Sequence, residues 1–116
     1  MPGWDWTRDE LVLAVDLVIR RNWRAVRAGE PDAERLSAVL RALTIHPLEG
    51  RPEQFRSPSS VQRKTYDIVT GQKDFAGVPT KGATAQERAV AAEFQAQPDR
   101  LHAEAARLRK FGGDLT

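Results

Sequence analysis

The segment that most constrains the fold is Thr7-Arg8-Asp9-Glu10 together with the apolar positions behind it. Thr7 can accept from the third helical N–H while Glu10 reaches back to the cap, which is the reciprocal arrangement of a capping box. Leu11, Ala14, Val15, Val18, Ile19, Asn22, Trp23 and Val26 follow at spacings of three and four, one stripe of a helix running from about 8 to 27. Asp16, Arg20, Arg24 and Arg27 fall off that stripe and are expected on the surface. Gly29-Glu30-Pro31 breaks the helix, and Asp32 can cap a second one whose stripe is Leu36, Val39, Leu40 and Leu43, ending near 44.

Thr44 to Arg56 shows no period and holds Pro47 and the turn signal Gly50-Arg51-Pro52, so it reads as a long loop, either functional or a surface excursion between two packed helices. Ser57 is an N-cap and Pro58 suits the first helical position, opening a third helix to about Thr70, with Val61, Thr65 and Ile68 inward and Gly71 as its stop. Residues 71–83, with Gly71, Gly77, Pro79 and Gly82, form a second loop carrying Lys73, Phe75 and Lys81. Thr84-Ala85-Gln86-Glu87 is another capping box, opening a fourth helix through Val90, Ala91 and Phe94. Pro98-Asp99 starts a fifth, with Leu101, Ala105 and Leu108 inward. The expected fold is all-α: a compact bundle of about five helices with two long loops, either of which can hold a short β pair.

A chain of 116 residues suits one domain, residues 1–116. Hydrophobic residues at 41% and charged residues at 29% are the balance of a folded globular protein. With no cysteine there is neither a disulfide nor a thiolate metal site. No apolar run approaches the roughly 20 residues needed to cross a bilayer, and the N-terminus lacks a signal-peptide pattern, so the expected location is the cytoplasm. His46 and His102 lack the paired spacing of a zinc site, and no glycine pattern matches a dinucleotide or Walker-type loop, so neither a metal nor a nucleotide cofactor is expected. Nor are a nucleophile, a base and an orienting group spaced for catalysis, and no enzymatic activity is expected of this chain.

The formal charge of +2 says little until it is divided along the chain. Residues 1–50 carry 7 basic and 8 acidic groups, residues 51–81 carry 6 and 3, and residues 82–116 carry 5 and 5. The positive excess therefore sits around Phe55-Arg56-Ser57-Pro58-Ser59-Ser60-Val61-Gln62-Arg63-Lys64-Thr65-Tyr66, where a capped helix N-terminus stands among cations and hydroxyls. Backbone N–H groups, the positive dipole end and Arg56, Arg63 and Lys64 suit an anionic polymer. Trp6 is expected to staple the first helix and Phe55 to anchor the loop into the core, leaving Trp4 or Phe75 for exposure.

Trp6-Thr7-Arg8-Asp9-Glu10-Leu11-Val12-Leu13-Ala14-Val15-Asp16-Leu17 and Phe55-Arg56-Ser57-Pro58-Ser59-Ser60-Val61, in this order and spacing, resemble the N-terminal domain of McrA-like HNH restriction endonucleases. Leu36-Ser37-Ala38-Val39-Leu40-Arg41-Ala42-Leu43 looks like that family's second helix, and Ala91-Ala92-Glu93-Phe94 with Pro98-Asp99-Arg100-Leu101 resembles its closing helices. Where the family has an Asn-Pro-Asn-Gly-like turn, this chain has Ser57-Pro58-Ser59-Ser60. The resemblance implies a helical reader of double-stranded DNA carrying 5-methylcytosine, targeting a covalently linked C-terminal HNH nuclease to modified DNA for restriction. The nuclease segment is not in this chain, which reads as the excised N-terminal domain. On this reading Arg51, Arg56, Ser57, Ser60, Lys64, Lys73 and Lys81 hold phosphates, while Ser59, Gln62, Arg63 and Tyr66 probe the major groove. Two other readings compete: a protein-interaction module whose arginines only solubilise it, and a non-specific DNA- or RNA-binding domain.

Overall fold

The structure, a computed structural model, describes residues 5–43, 49–71 and 84–111. These residues form an all-α bundle of five helices: α1 Arg8–Arg20, α2 Pro31–Ala42, α3 Pro58–Thr70, α4 Ala85–Ala96 and α5 Pro98–Phe111. No strand occurs among the described residues. Both capping boxes form as their sequences dictate, with the Thr7 and Thr84 side chains accepting from the third helical N–H and Glu10 and Glu87 returning the bond. Of the two long loops, residues 44–48 and 72–83 lie outside the described residues, and so does any β pair there. Residues 49–57 are turns and irregular backbone.

α1 is the axis of the bundle and packs against each of the other four helices. Residues 10–18 are all buried, so the helix is covered on every side rather than along the single stripe that its spacing suggests. Burying a Leu or Val completely contributes about 1.5–3 kcal/mol, which makes Leu11, Val12, Leu13, Val15 and Val18 the largest concentration of apolar stabilisation. Val39 and Leu40 of α2, Val61 and Ile68 of α3, Phe94 of α4 and Leu101 of α5 close around them.

Four local expectations are corrected. α1 stops at Arg20 rather than near 27, because Asn22 and Trp23 adopt φ values of 59° and 61° and turn the chain out of the helix. Trp23 N–H donates to the Val18 carbonyl at 2.8 Å, closing the helix end, and the irregular segment that follows brings Trp23 and Val26 to the core. Asn22, expected on the stripe, is exposed. Asp32 does not cap α2: the cap position is Glu30, without a side-chain cap bond, and Asp32 instead pairs with Arg21 at 3.1 Å. Asp16, expected at the surface, is buried. Its carboxylate binds Arg20 of its own helix and His102 and Arg109 of α5. A buried carboxylate needs such partners to offset the loss of water, and they tie α5 to α1.

Candidate nucleic-acid interface

The local reason for α3 is visible at its start. Ser57 Oγ accepts from Ser60 N–H at 3.2 Å, and Pro58 fills the position whose missing N–H costs nothing. Ser60 Oγ donates to the Gln54 carbonyl at 3.2 Å, tying the helix to its preceding turn. Among the described residues this leaves Ser59 N–H as an unpaired donor at the positive end of the helix. Ser59, Gln62, Arg63 and Tyr66 recur at spacings of three and four and are exposed together on the outer face.

Beside that face lies an open depression of about 1240 Å³. One wall is α3, with Ser57, Ser59, Ser60, Gln62, Arg63, Lys64, Tyr66 and Asp67, and the other is Ala25, Val26 and Arg27 after the reversal of α1; Trp6 and Gln54 complete the lining. Two bonds hold the walls in register: Val26 N–H to Thr65 Oγ1 at 3.2 Å and Ala28 N–H to Gln62 Oε1 at 2.7 Å. Gln62 thereby spends its oxygen on the fold and keeps its amide N–H₂ as a donor. At the edge of this wall Arg27 N–H donates to Glu30 at 3.0 Å, and that bond, with help from Arg21, holds the Glu30 carboxyl below the ordinary range.

Seven of the expected contact residues therefore share one groove: Ser57, Ser59, Ser60, Gln62, Arg63, Lys64 and Tyr66. Lys73 and Lys81 lie outside the described residues. Arg51 does not join the groove: it lies 4.4 Å from the Phe55 ring centre and donates to the carbonyls of Arg41 and Leu43, fastening the loop to the end of α2. Nor is Arg56 a surface phosphate ligand. It is 5% exposed, with Nε 2.8 Å from Glu10 Oε2 and Nη2 3.0 Å from Glu10 Oε1. Its guanidinium lies 4.6 Å from the ring centres of both Trp6 and Phe55, and its backbone holds a φ of 47°. The cation is spent inside the fold, where it neutralises a buried carboxylate and fixes the turn that aims α3. Lys64 is partly spent in the same way, its Nζ 2.6 Å from Glu87 Oε2.

The groove also contains residues that the sequence did not assign to the binding site. Arg27 and Trp6 belong to it, and Arg27 and Arg63 have no carboxylate partner among the described residues. Nothing local marks Arg27, because it reaches the groove only through the reversal at Asn22 and Trp23. No cluster of three metal-ligating side chains occurs among the described residues, and no described helix is long and apolar enough to cross a membrane. The fold and groove thus define an all-α bundle that presents one donor-rich helix face. No protein family, no curated protein and no solved structure matches this chain.

Proposed function

We propose that this chain binds duplex DNA through the outer face of α3, with the adjoining groove receiving one strand. The observation that carries the reading is the convergence, at one capped helix N-terminus, of Ser59, Gln62, Arg63 and Tyr66 with the facing Arg27. A major groove about 12 Å wide admits a helix, and these side chains offer the donors that base edges and phosphates accept. Arg63 is suited to guanine, since a guanidinium can bond its O6 and N7 together. The resemblance of the Trp6–Leu17 and Phe55–Val61 motifs supports the finer form: a reader of 5-methylcytosine that delivers a linked HNH nuclease to modified DNA. An added methyl contributes about 0.8 kcal/mol when buried, so methylation improves binding roughly four-fold through apolar contact alone.

Anisotropy titrations of matched duplexes, one unmodified and one carrying 5-methylcytosine, with an RNA duplex as control, test both levels. Tighter binding of the methylated duplex supports the reader; equal binding of both DNAs reduces the domain to a general tether. If Arg63→Ala binds DNA as tightly as the wild type at several salt concentrations, α3 does not enter the groove.

The internal commitment of Arg56 and Lys64 favours a second reading, a protein-interaction groove floored by Trp6 and Val26. Such an interface responds little to salt, whereas phosphate contacts weaken by about 0.9 in log affinity per contact for each tenfold rise in salt.

A further inference from the structure

A second concave site lies where α2 and α5 flank the C-terminal half of α1, a pocket of about 280 Å³. Its floor is apolar, made of Leu17, Leu36 and Val39, and three guanidinium groups, those of Arg20, Arg35 and Arg109, stand around it. Among the described residues the only acid in its lining is Asp32, already paired with Arg21 at 3.1 Å. Arg20 and Arg109 both bind one oxygen of the buried Asp16, Oδ2, while His102 takes Oδ1. An arginine carries five N–H donors, so two guanidiniums sharing one oxygen leave most of theirs unused.

The three cations do not have the same explanation. Arg20 and Arg109 occupy the last turns of α1 and α5, where the helix dipole favours positive charge. Arg35 stands in the N-terminal half of α2, where the dipole does not favour it, and no carboxylate pairs with it among the described residues. Asp16 offsets one of the three guanidinium charges and Asp32 is paired with Arg21, so the lining keeps a positive excess that an entering anion offsets. Guanidinium donors in a concave arrangement match a tetrahedral oxyanion, which accepts from several directions at once.

We propose that this pocket binds a phosphate group through Arg20, Arg35 and Arg109. The group is either free inorganic phosphate or a phosphodiester of bound nucleic acid. The site is independent of the α3 groove, and its test does not require the DNA-binding reading to hold.

The experiment follows the arginine Nε–Hε signals of the full chain by ¹H–¹⁵N NMR while sodium phosphate replaces chloride at constant ionic strength. Saturable shifts of the Arg20 and Arg109 signals are expected, with affinity falling about tenfold or more in Arg35→Glu and less in Arg35→Ala. Arg35 is exposed, so both variants keep the wild-type amide spectrum. Absence of saturation, or equal affinity in Arg35→Glu, overturns the proposal. A second titration with duplex DNA identifies the source. Shifts of the same signals, with a salt slope about 0.9 shallower in Arg35→Ala, assign the phosphate to the nucleic-acid backbone. Phosphate-induced shifts that DNA does not reproduce assign it to the free ion.

Discussion

Replacing Glu10 with Gln tests how much of this fold hangs on the buried pair beneath α3. In the native arrangement Glu10 Oε1 accepts from Thr7 N–H at 2.9 Å and from Arg56 Nη2 at 3.0 Å, while Oε2 accepts from Arg56 Nε at 2.8 Å. Glutamine retains one oxygen for the capping box and turns an N–H₂ group toward the guanidinium, so donors face donors and a buried cation loses its counter-charge. Side-chain exposures of 1% and 6% for the two residues mean that water cannot take over. Breaking such a pair from one side costs about 3–5 kcal/mol. A domain of 116 residues has a total stability of about 6–17 kcal/mol. Its unfolding entropy at the midpoint is about 0.24 kcal/mol/K, so the expected loss in Tm is about 12–20 °C. Thermal melts by circular dichroism measure this directly. Glu10→Gln combined with Arg56→Gln removes both charges and should cost clearly less than the sum of the single variants. A Tm for Glu10→Gln within about 4 °C of wild type, equivalent to roughly 1 kcal/mol, refutes the argument that the pair holds the α1–α3 junction.

Arg27→Ala and Arg63→Ala, both exposed and without carboxylate partners among the described residues, should each make the salt dependence of DNA binding shallower by about 0.9 while moving stability by less than about 0.5 kcal/mol. Phe94→Ala should cost about 3–5 kcal/mol in urea unfolding, because Phe94 is 1% exposed and its ring meets His102 edge to face at 5.1 Å. The bond from Arg8 holds the Glu104 carboxyl below its ordinary value. Its contribution is therefore present above about pH 4.3 and lost as pH falls through the lower folded-state value. Glu104→Gln should flatten the acid limb of the stability profile, and an unchanged limb would contradict that role for the bond.

Four of the five helix starts were legible because their determinants are local. Thr7 with Glu10, Thr84 with Glu87, Ser57 before Pro58, and Pro98 each fix a start within one turn, and each helix begins there. The end of α1 was not legible. Trp23 and Val26 sit at helical spacing from Val18 and Ile19 and are both drawn to the core, yet the chain reaches it through two residues at positive φ. Periodicity records which side chains are apolar, not the backbone that carries them inward. The burial of Asp16 was hidden for a different reason, since His102 and Arg109 are 86 and 93 residues away in sequence. The same limit applied to the candidate site. The α3 face follows from spacing alone, whereas Arg27 enters through tertiary tethers, and Arg56 leaves because its partner Glu10 lies 46 residues earlier.

That last difference changes the electrostatics of the proposed interface, not only its list of contacts. Six cations placed on DNA from sequence, Arg51, Arg56, Lys64, Lys73 and Lys81 on phosphate and Arg63 in the major groove, imply a log–log salt slope of about −5.4 when each neutralises one phosphate charge. The fold spends Arg56 on Glu10, pairs Lys64 with Glu87 and turns Arg51 to the carbonyls of Arg41 and Leu43. Arg63 and the facing Arg27 then imply a slope of about −1.8, and Lys73 and Lys81 extend it to about −3.6 if both engage. A pair already neutralised in the protein has little counterion to displace from DNA, so cations spent within the fold do not steepen the slope. A measured value near −5 would require those ion pairs to open on binding, at the cost of leaving Glu10 buried without its partner. A value between about −2 and −4 is what this arrangement of charges predicts, with specificity carried by the base-edge donors of Ser59, Gln62, Arg63 and Tyr66 rather than by bulk attraction.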